Sequence, residues 1–260
     1  MTTYVSQTQY GKIEDFPLQV ARGQIQGHRN VTVFGFNPDV DTAQVSVWPL
    51  PSLITFPATA LQMTVSSASA DDTAAGTGAR TVVVQGLDAN YNEVSETVIM
   101  NGQTAVTMAT ALIRVNYAYV GTAGSGNSAA GNIYIGTGTV TAGVPATVYD
   151  IIKLDYNNTT TGSYTIPAGY TAYLSQGLFS TGQAGGSNQV EGRLLSRGVD
   201  NIRRTAAITT INNGVANYVF EYPLAIPEKT TIEATAVGSS NNNACSSMFI
   251  LLLVKNSTGY

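Results

Sequence analysis

Read for hydrophobic pattern alone, the chain is a succession of short strands. Runs in which apolar and polar residues alternate, or in which β-branched residues are continuous, recur at Val31–Phe36, Leu61–Ser67, Thr81–Leu87, Glu93–Met100, Ala111–Val120 and Asn132–Gly136. They continue through Thr147–Leu154, Thr171–Phe179, Gln189–Leu195, Thr205–Ile211, Asn217–Tyr222, Thr231–Val237 and Ser247–Val254. No window keeps apolar residues at a helical spacing, so little helix is expected. Many short strands punctuated by Gly, Asn and Pro predict an all-β fold of antiparallel β-sandwich or jelly-roll units. The most apolar run, Met248–Val254, would span about 23 Å as a strand and falls well short of a membrane-crossing helix, so it reads as a buried strand.

The turns sharpen this picture. Asn101-Gly102 is a strong two-residue hairpin signal, because a type I′ turn needs positive φ at both positions. That turn would set Val98 opposite Ala105 and make Thr81–Val106 a meander with one solvated and one packed face. Leu87–Glu93, LDANYNE, reads as the polar turn before it.

Two shifts in pattern divide the chain. Residues 1–29 are polar and lack alternation, although they carry Tyr4, Tyr10 and Phe16; they are expected to form an extended N-terminal arm. Asp155–Gly169, DYNNTTTGSYTIPAG, is turn-rich and predicts a break between two β-units, 30–155 and 156–260. No repeat of fixed period is visible, and nothing at the N-terminus resembles a signal peptide.

Composition narrows the function. Hydrophobic residues make up 43% of the 260, enough to build a core, while charged residues make up only 11% against about 25% in ordinary soluble domains. A net charge of −4 provides no attraction for nucleic acid or an anionic membrane, and neither is expected as a partner. A single cysteine, Cys245, rules out an internal disulfide or thiolate cluster.

Candidate chemistry is sparse. A nucleophile–base arrangement would have to use His28, the only histidine, and it stands in the expected arm, far along the chain from Cys245 in its Asn/Ser-rich surroundings. Asn37, Asp39 and Asp41, like Asp88, Asn90 and Asn92, echo the start of an oxygen-ligand calcium loop. Their twelfth positions are Trp48 and Ile99, not glutamate, and Asx turns account for both patterns. The glycine-rich stretches Gly121–Gly131 and Gly136–Gly143 lack the Gly-Lys-Ser/Thr of a phosphate loop. Arg193, Arg197, Arg203 and Arg204 gather half of the arginines into one stretch, which is expected to be a solvated strand face or a subunit contact. No catalytic, cofactor-binding or metal-binding residue is assigned, and no cofactor is expected.

Several stretches together resemble a family of virion structural proteins of tailed bacteriophages of aquatic bacteria. They are Gly27–Thr42, Thr55–Val106, Ile113–Ile133, Tyr164–Leu174 and Ile226–Ala244. The most specific part is DTAAGTGARTV…GLDANYNEVSETV…NGQTAV, between Asp72 and Val106. Gln44–Ser52 departs from the family, where a longer Asp/Gly-rich loop is expected. The resemblance implies a non-enzymatic component of the virion, assembled in the host cytoplasm.

On this reading the chain is a capsid-surface decoration or cement protein. Its expected partners are the major capsid protein or other virion proteins and further copies of itself. A tail or fibre component touching the host surface is the alternative. A capsule-degrading enzyme is the third class, for which no paired carboxylates stand in a recognisable setting.

Overall fold

The computed structural model describes residues 14–182 and 188–256. A short helix, α1 (Phe16–Ala21), precedes β1 (His28–Val40), β2 (Val45–Ser46), β3 (Leu61–Ser67), β4 (Ala79–Leu87) and β5 (Glu93–Ile99). Next come β6 (Val106–Leu112), β7 (Arg114–Ala123), β8 (Ile133–Thr141), β9 (Val144–Ile152), β10 (Ser163–Thr165) and β11 (Tyr170–Gly182). The chain ends with β12 (Val190–Arg197), β13 (Arg203–Ile211), β14 (Gly214–Ile226), β15 (Thr231–Gly238) and β16 (Asn243–Lys255). The fold is all-β, its strands paired antiparallel in four sheets.

Strand pairing regroups the chain. One sheet has the order β1-β16-β11-β14, and a second runs β10-β15-β12-β13 with β2 also on β15. Both contribute to one core, in which Val33, Phe179, Leu194, Ile232, Phe249 and Leu251 are buried together. The other two sheets, β6-β3-β8-β9 and β5-β4-β7, enclose a separate core around Met63, Val82, Val84, Met108 and Ile133. Residues 61–152 are thus an inserted unit, and strands on either side of it in sequence build a split unit. The expected unit 30–155 must be corrected at its start: β1 pairs with β16 from His28↔Val254 to Val40↔Asn243, so it belongs with the C-terminal strands. Ladder hydrogen bonds and apolar burial reward that non-local pairing, which local patterning does not register.

The expected extended arm is also corrected where it is described. Phe16–Ala21 is helical, with Pro17 at its start, the N–H groups of Leu18 and Gln19 both donating to the Asp15 carbonyl at 3.0 Å, and Gly23 at φ 68° closing it. Residues 1–13, with Tyr4 and Tyr10, lie outside the described residues.

Asn101-Gly102 makes no two-residue hairpin. Val98 pairs with Val82, whereas β6 pairs with β3 in a different sheet, so the chain crosses between sheets at this point. Of the two residues only Gly102 has positive φ, at 58°. Its N–H donates to the Asp72 carbonyl at 2.7 Å and its carbonyl accepts from Ser67 at 2.9 Å, which hold the turn in the crossing geometry. The type I′ geometry appears at Ala142-Gly143, between the paired Thr141 and Val144, with φ 48° and 81°. The β4–β5 connection closes as a turn in LDANYNE, with Leu87 opposite Glu93.

Met248–Val254 lies in β16 with alternating burial. Phe249, Leu251 and Leu253 are wholly buried, while Met248, Ile250 and Leu252 occupy the other face and are half-buried.

Candidate functional site

The two units meet along a seam built by the link after β2 and the turns before β10. Trp48 and Ile54 in the link pack on Tyr134 and Ile151 of the inserted unit, and Trp48 Nε1–H donates to the Ser52 carbonyl at 2.7 Å. Gln44–Ser52, the stretch that departs from the family resemblance, is therefore partly a third small core. Asn116 of β7 bonds the backbone of Thr165 in both directions, each at 2.9 Å. This matches the donor and acceptor of one amide to one residue of the split unit.

A charged stack lies deeper in the seam. Phe56 is met by two guanidinium groups, Arg114 of the inserted unit at 4.7 Å and Arg197 of the split unit at 4.3 Å from its ring centroid. Glu233, fully buried on β15, accepts from Arg203 Nε at 2.6 Å and stands 3.5 Å from Arg197 Nη2. Burial pushes the Arg197 pKa down, and the nearby Arg203 and Arg114 charges add to that effect, while Glu233 opposes it. Both flat cations lie within cation–π reach of the one ring, so the aromatic side chain is shared by two like charges. The stack joins side chains of both units.

Beside it, a cleft of about 840 Å³ opens between β1 on one wall and the outer face of β5-β4-β7 on the other. Its polar lining includes Asn30, Gln85, Ser95, Tyr117, Asn158 and Thr161. Phe36 N–H donates away from β16, to the Thr160 carbonyl at 3.0 Å, whereas the carbonyl of Gly27 accepts from Lys255 of β16. By the two-residue period of a strand, Asn30, Thr32 and Phe34 also aim their backbone N–H and C=O groups away from β16. Arg29 and Glu93 form an ion pair across one end. Burial works against the Arg29 charge, but Glu93 outweighs it and holds the pKa above its ordinary value. An open strand edge with uncharged side chains opposite can take an extended peptide segment.

The residues singled out from the sequence do not converge. His28 heads β1, its Nδ1 2.9 Å from the Gln26 carbonyl and its ring edge-on to Phe16. Cys245 pairs with Asn37, nine residues further along β1, which puts it about 30 Å from His28. It is buried in β16, not in a polar turn, and burial pushes its thiol up to about 12. Asn37 is buried too, donating to the carbonyls of Ser46 and Leu50 at 3.1 and 3.3 Å and accepting from the Asp39 N–H at 2.9 Å. Asp41 accepts from Asn242 N–H at 3.0 Å. Asp88 accepts from the N–H groups of Asn90 and Asn92, both at 2.8 Å. The slight desolvation of Asp88 raises its pKa, but these hydrogen bonds outweigh it and hold the carboxyl below its ordinary value. Among the described residues no three His, Cys, Asp or Glu side chains come together as metal ligands, and no helix is long and apolar enough to cross a membrane.

The four arginines do not form one patch. Arg193 pairs with Glu191, Arg197 and Arg203 share Glu233, and Arg204 pairs with Asp200 at 2.6 Å.

Besides Glu233, two buried acids went unnoticed in the sequence. Asp72, in the stretch that carries the family resemblance, accepts from the N–H groups of Ala79, Ala130 and Gly131 at 2.6, 2.8 and 3.1 Å and from the Ser67 hydroxyl. A Cβ at Gly78 would sit 2.1 Å from its Oδ1, so glycine there makes room for the carboxylate.

Asp150 lies under the turn that leads into β10, accepting from Ile151 N–H at 2.8 Å and from the Thr161 hydroxyl. Burial pushes its carboxyl up to about 7 from an ordinary 3.8, so folding takes up a proton between those values. Its contribution to stability is therefore fullest at low pH and is lost as pH rises through about 7. The expected result is a melting temperature that rises as pH falls from 8 to 5, by an amount worth at most about 3 kcal/mol. Asp150→Asn should flatten that slope; a variant with the wild-type slope would assign the effect elsewhere.

No family model matches the chain, and no curated protein matches it. Among solved structures, that of infectious bursal disease virus, Gx strain, aligns over 90% of this chain and 74% of its own, at 10% identity and TM-score 0.27. The VP2 subviral particle of the same virus aligns over 89% and 71%, at 11% identity and TM-score 0.23. The PBSX exported protein XepA aligns over 85% and 84%, at 10% identity and TM-score 0.19. Likenesses this distant carry no argument about function.

Proposed function

We propose that this chain is a non-enzymatic structural protein of a tailed-phage virion, a decoration or cement protein that binds the major capsid lattice at the particle surface. The observation that carries the reading is the strand pairing of the split unit. Taken in chain order, its main strands β1, β2, β11, β12, β13, β14, β15 and β16 pair first with last, second with seventh, third with sixth and fourth with fifth. A long antiparallel ribbon rolled up in this way is a jelly roll, an architecture used by viral capsid and lectin domains. The link from fold to function is an analogy, since a fold hosts many functions. The resemblance of Asp72–Val106 to virion proteins points the same way. So do the buried carboxylates Asp72 and Glu233, which are bound to backbone donors and to arginines, and the separation of His28 from Cys245.

In this reading the inserted unit is the second β-sandwich, displayed from the body, and the cleft along β1 receives an extended segment of a neighbouring virion protein. Shallow contacts suffice where many copies bind one lattice, because avidity multiplies them. Quantitative mass spectrometry of purified particles tests it. Hundreds of copies per virion are expected, whereas a few to dozens would assign the chain to the tail or a fibre. Absence from particles, or cleavage of host polysaccharide that His28→Ala abolishes, would overturn the reading.

A further inference from the structure

Exposed apolar side chains are concentrated on one flank of the split unit. Val199, Ile202, Ile208, Val215, Val219 and Tyr222 all lie on β13, β14 or the turn before β13, and Tyr222 is 81% exposed. β13 and β14 are the end strands of their two sheets and lie together on this flank, joined through Asn212-Asn213, so both sheets stop here with an open edge. At the far end of the first sheet, the β1 edge instead meets Thr160. Proteins ordinarily blunt such edges with lysine, proline or a bulge. From Thr205 to Phe220 there is no charged residue and no proline. The ladder with β11 breaks only beyond Val219, where Tyr222 and Pro223 bulge outward.

We propose that this flank is a two-fold homodimer interface in which β14 pairs antiparallel with β14 of a second copy over Val215–Val219, centred on Asn217. A two-fold contact needs a surface complementary to itself, and this one is. Centred on Asn217, Val215 of each copy faces Val219 of the other, and the two Asn217 amides each bring a donor and an acceptor. Glu221 comes opposite the uncharged Asn213, so no like charges meet. The neutral strip offers a charged foreign partner nothing to match. Its size is that of a weak contact. Symmetric about Asn217, Gly214–Phe220 of β14 overlap over about 23 Å, and two sheets about 10 Å apart make the flank at least 15 Å wide, on the order of 350 Å² per copy. A contact of this size is weak and transient in solution and is strengthened where copies are held side by side. The inference deepens the homo-oligomeric part of the proposed function and does not depend on the virion part.

Cysteine cross-linking of the full-length chain in solution tests the register. Residues on a two-fold axis in an antiparallel pair have Cα atoms about 4.5–5.5 Å apart, within disulfide reach. Asn217→Cys is expected to give a covalent dimer under mild oxidation. Val215→Cys alone should not, and Val215→Cys combined with Val219→Cys should. The wild type, whose Cys245 is buried, serves as the blank. Val219→Lys, at a position 72% exposed, should keep its circular dichroism while its dimer dissociation constant in sedimentation rises at least tenfold. A wild-type chain that sediments as a monomer at micromolar concentration and whose Asn217→Cys variant stays uncross-linked would overturn the proposal. So would a dimer indifferent to Val219→Lys, or a larger ring that Val219→Lys disperses but Asn217→Cys does not cross-link.

Discussion

Glu233→Gln is expected to destabilise the folded chain by about 3–5 kcal/mol, the usual loss when one partner of a buried ion pair is removed. Glu233 is wholly buried and is, among the described residues, the only carboxylate paired with Arg197 and Arg203. The side chain of Arg197 is 7% exposed, and its Nε finds no hydrogen-bond acceptor even in the native protein. Without Glu233, the Arg197 charge would be left with the like charges of Arg203 and Arg114, which already weaken it. Glutamine keeps the shape and one acceptor, so the loss reads the charge and not a cavity. Urea denaturation of Glu233→Gln beside Glu191→Gln provides the comparison. The second variant removes a half-buried pair with Arg193 at the edge of solvent and should cost about 1 kcal/mol or less. Equal losses in the two variants would show that the seam does not depend on this carboxylate. Because the stack joins both units, a selective loss should also speed proteolysis of the link Trp48–Ala60 before that of β4 and β5.

The all-β character was legible because it is local: β-branched runs and turn residues are written at each strand. LDANYNE shows how far that goes, since Asp88 and the asparagines after it build the turn from their own side chains. Asn101-Gly102 shows where it stops. The dipeptide has the right residues for a type I′ hairpin, but Asp72 and Ser67, about thirty positions earlier, take its backbone groups and turn the crossing into another sheet. Ala142-Gly143 misleads in the opposite sense, because alanine carries no signal for positive φ and Gly143 alone looks like loop. A Cβ there would lie 1.8 Å from the Ser67 carbonyl, so close approach fixes the glycine as well as φ. The place of β1 depends on a partner more than two hundred residues away, beyond any local period. At the seam, Arg197 and Arg203 were seen as members of a surface run. Only the fold reveals that Glu233 between them is buried and that Phe56 and Arg114 complete the stack.

Asp72→Ala is expected to have the largest effect of any single substitution outside the apolar cores. The carboxylate is wholly buried and accepts four hydrogen bonds: one from the Ser67 hydroxyl and three from backbone N–H groups in the stretches 79 and 130–131. Alanine would leave those donors without their partner; Ala130 is exposed and can turn to water, but Ser67, Ala79 and Gly131 are buried. At about 1–3 kcal/mol for each buried donor left unsatisfied, the total is of the order of 4–8 kcal/mol. That is comparable with the whole stability of an ordinary domain, so the variant should be recovered insoluble or already unfolded. Asp72→Asn keeps the geometry measurable. Its remaining oxygen can still accept from Ala79 and Ala130, and the Ser67 hydroxyl can turn to accept from the new amide. Gly131 N–H, however, would then face an NH₂ group. About 2–3 kcal/mol of loss is expected, read as a lower midpoint in urea. Hydrogen exchange should also quicken at Gly131 before it does so in β12 or β16. Asp71→Ala, one residue away on the exposed side of the same turn, should change stability by less than about 1 kcal/mol. If Asp72→Asn behaved like Asp71→Ala, the carboxylate would be a passenger and the loops around Gly78 and Gly131 would be held by their backbones alone.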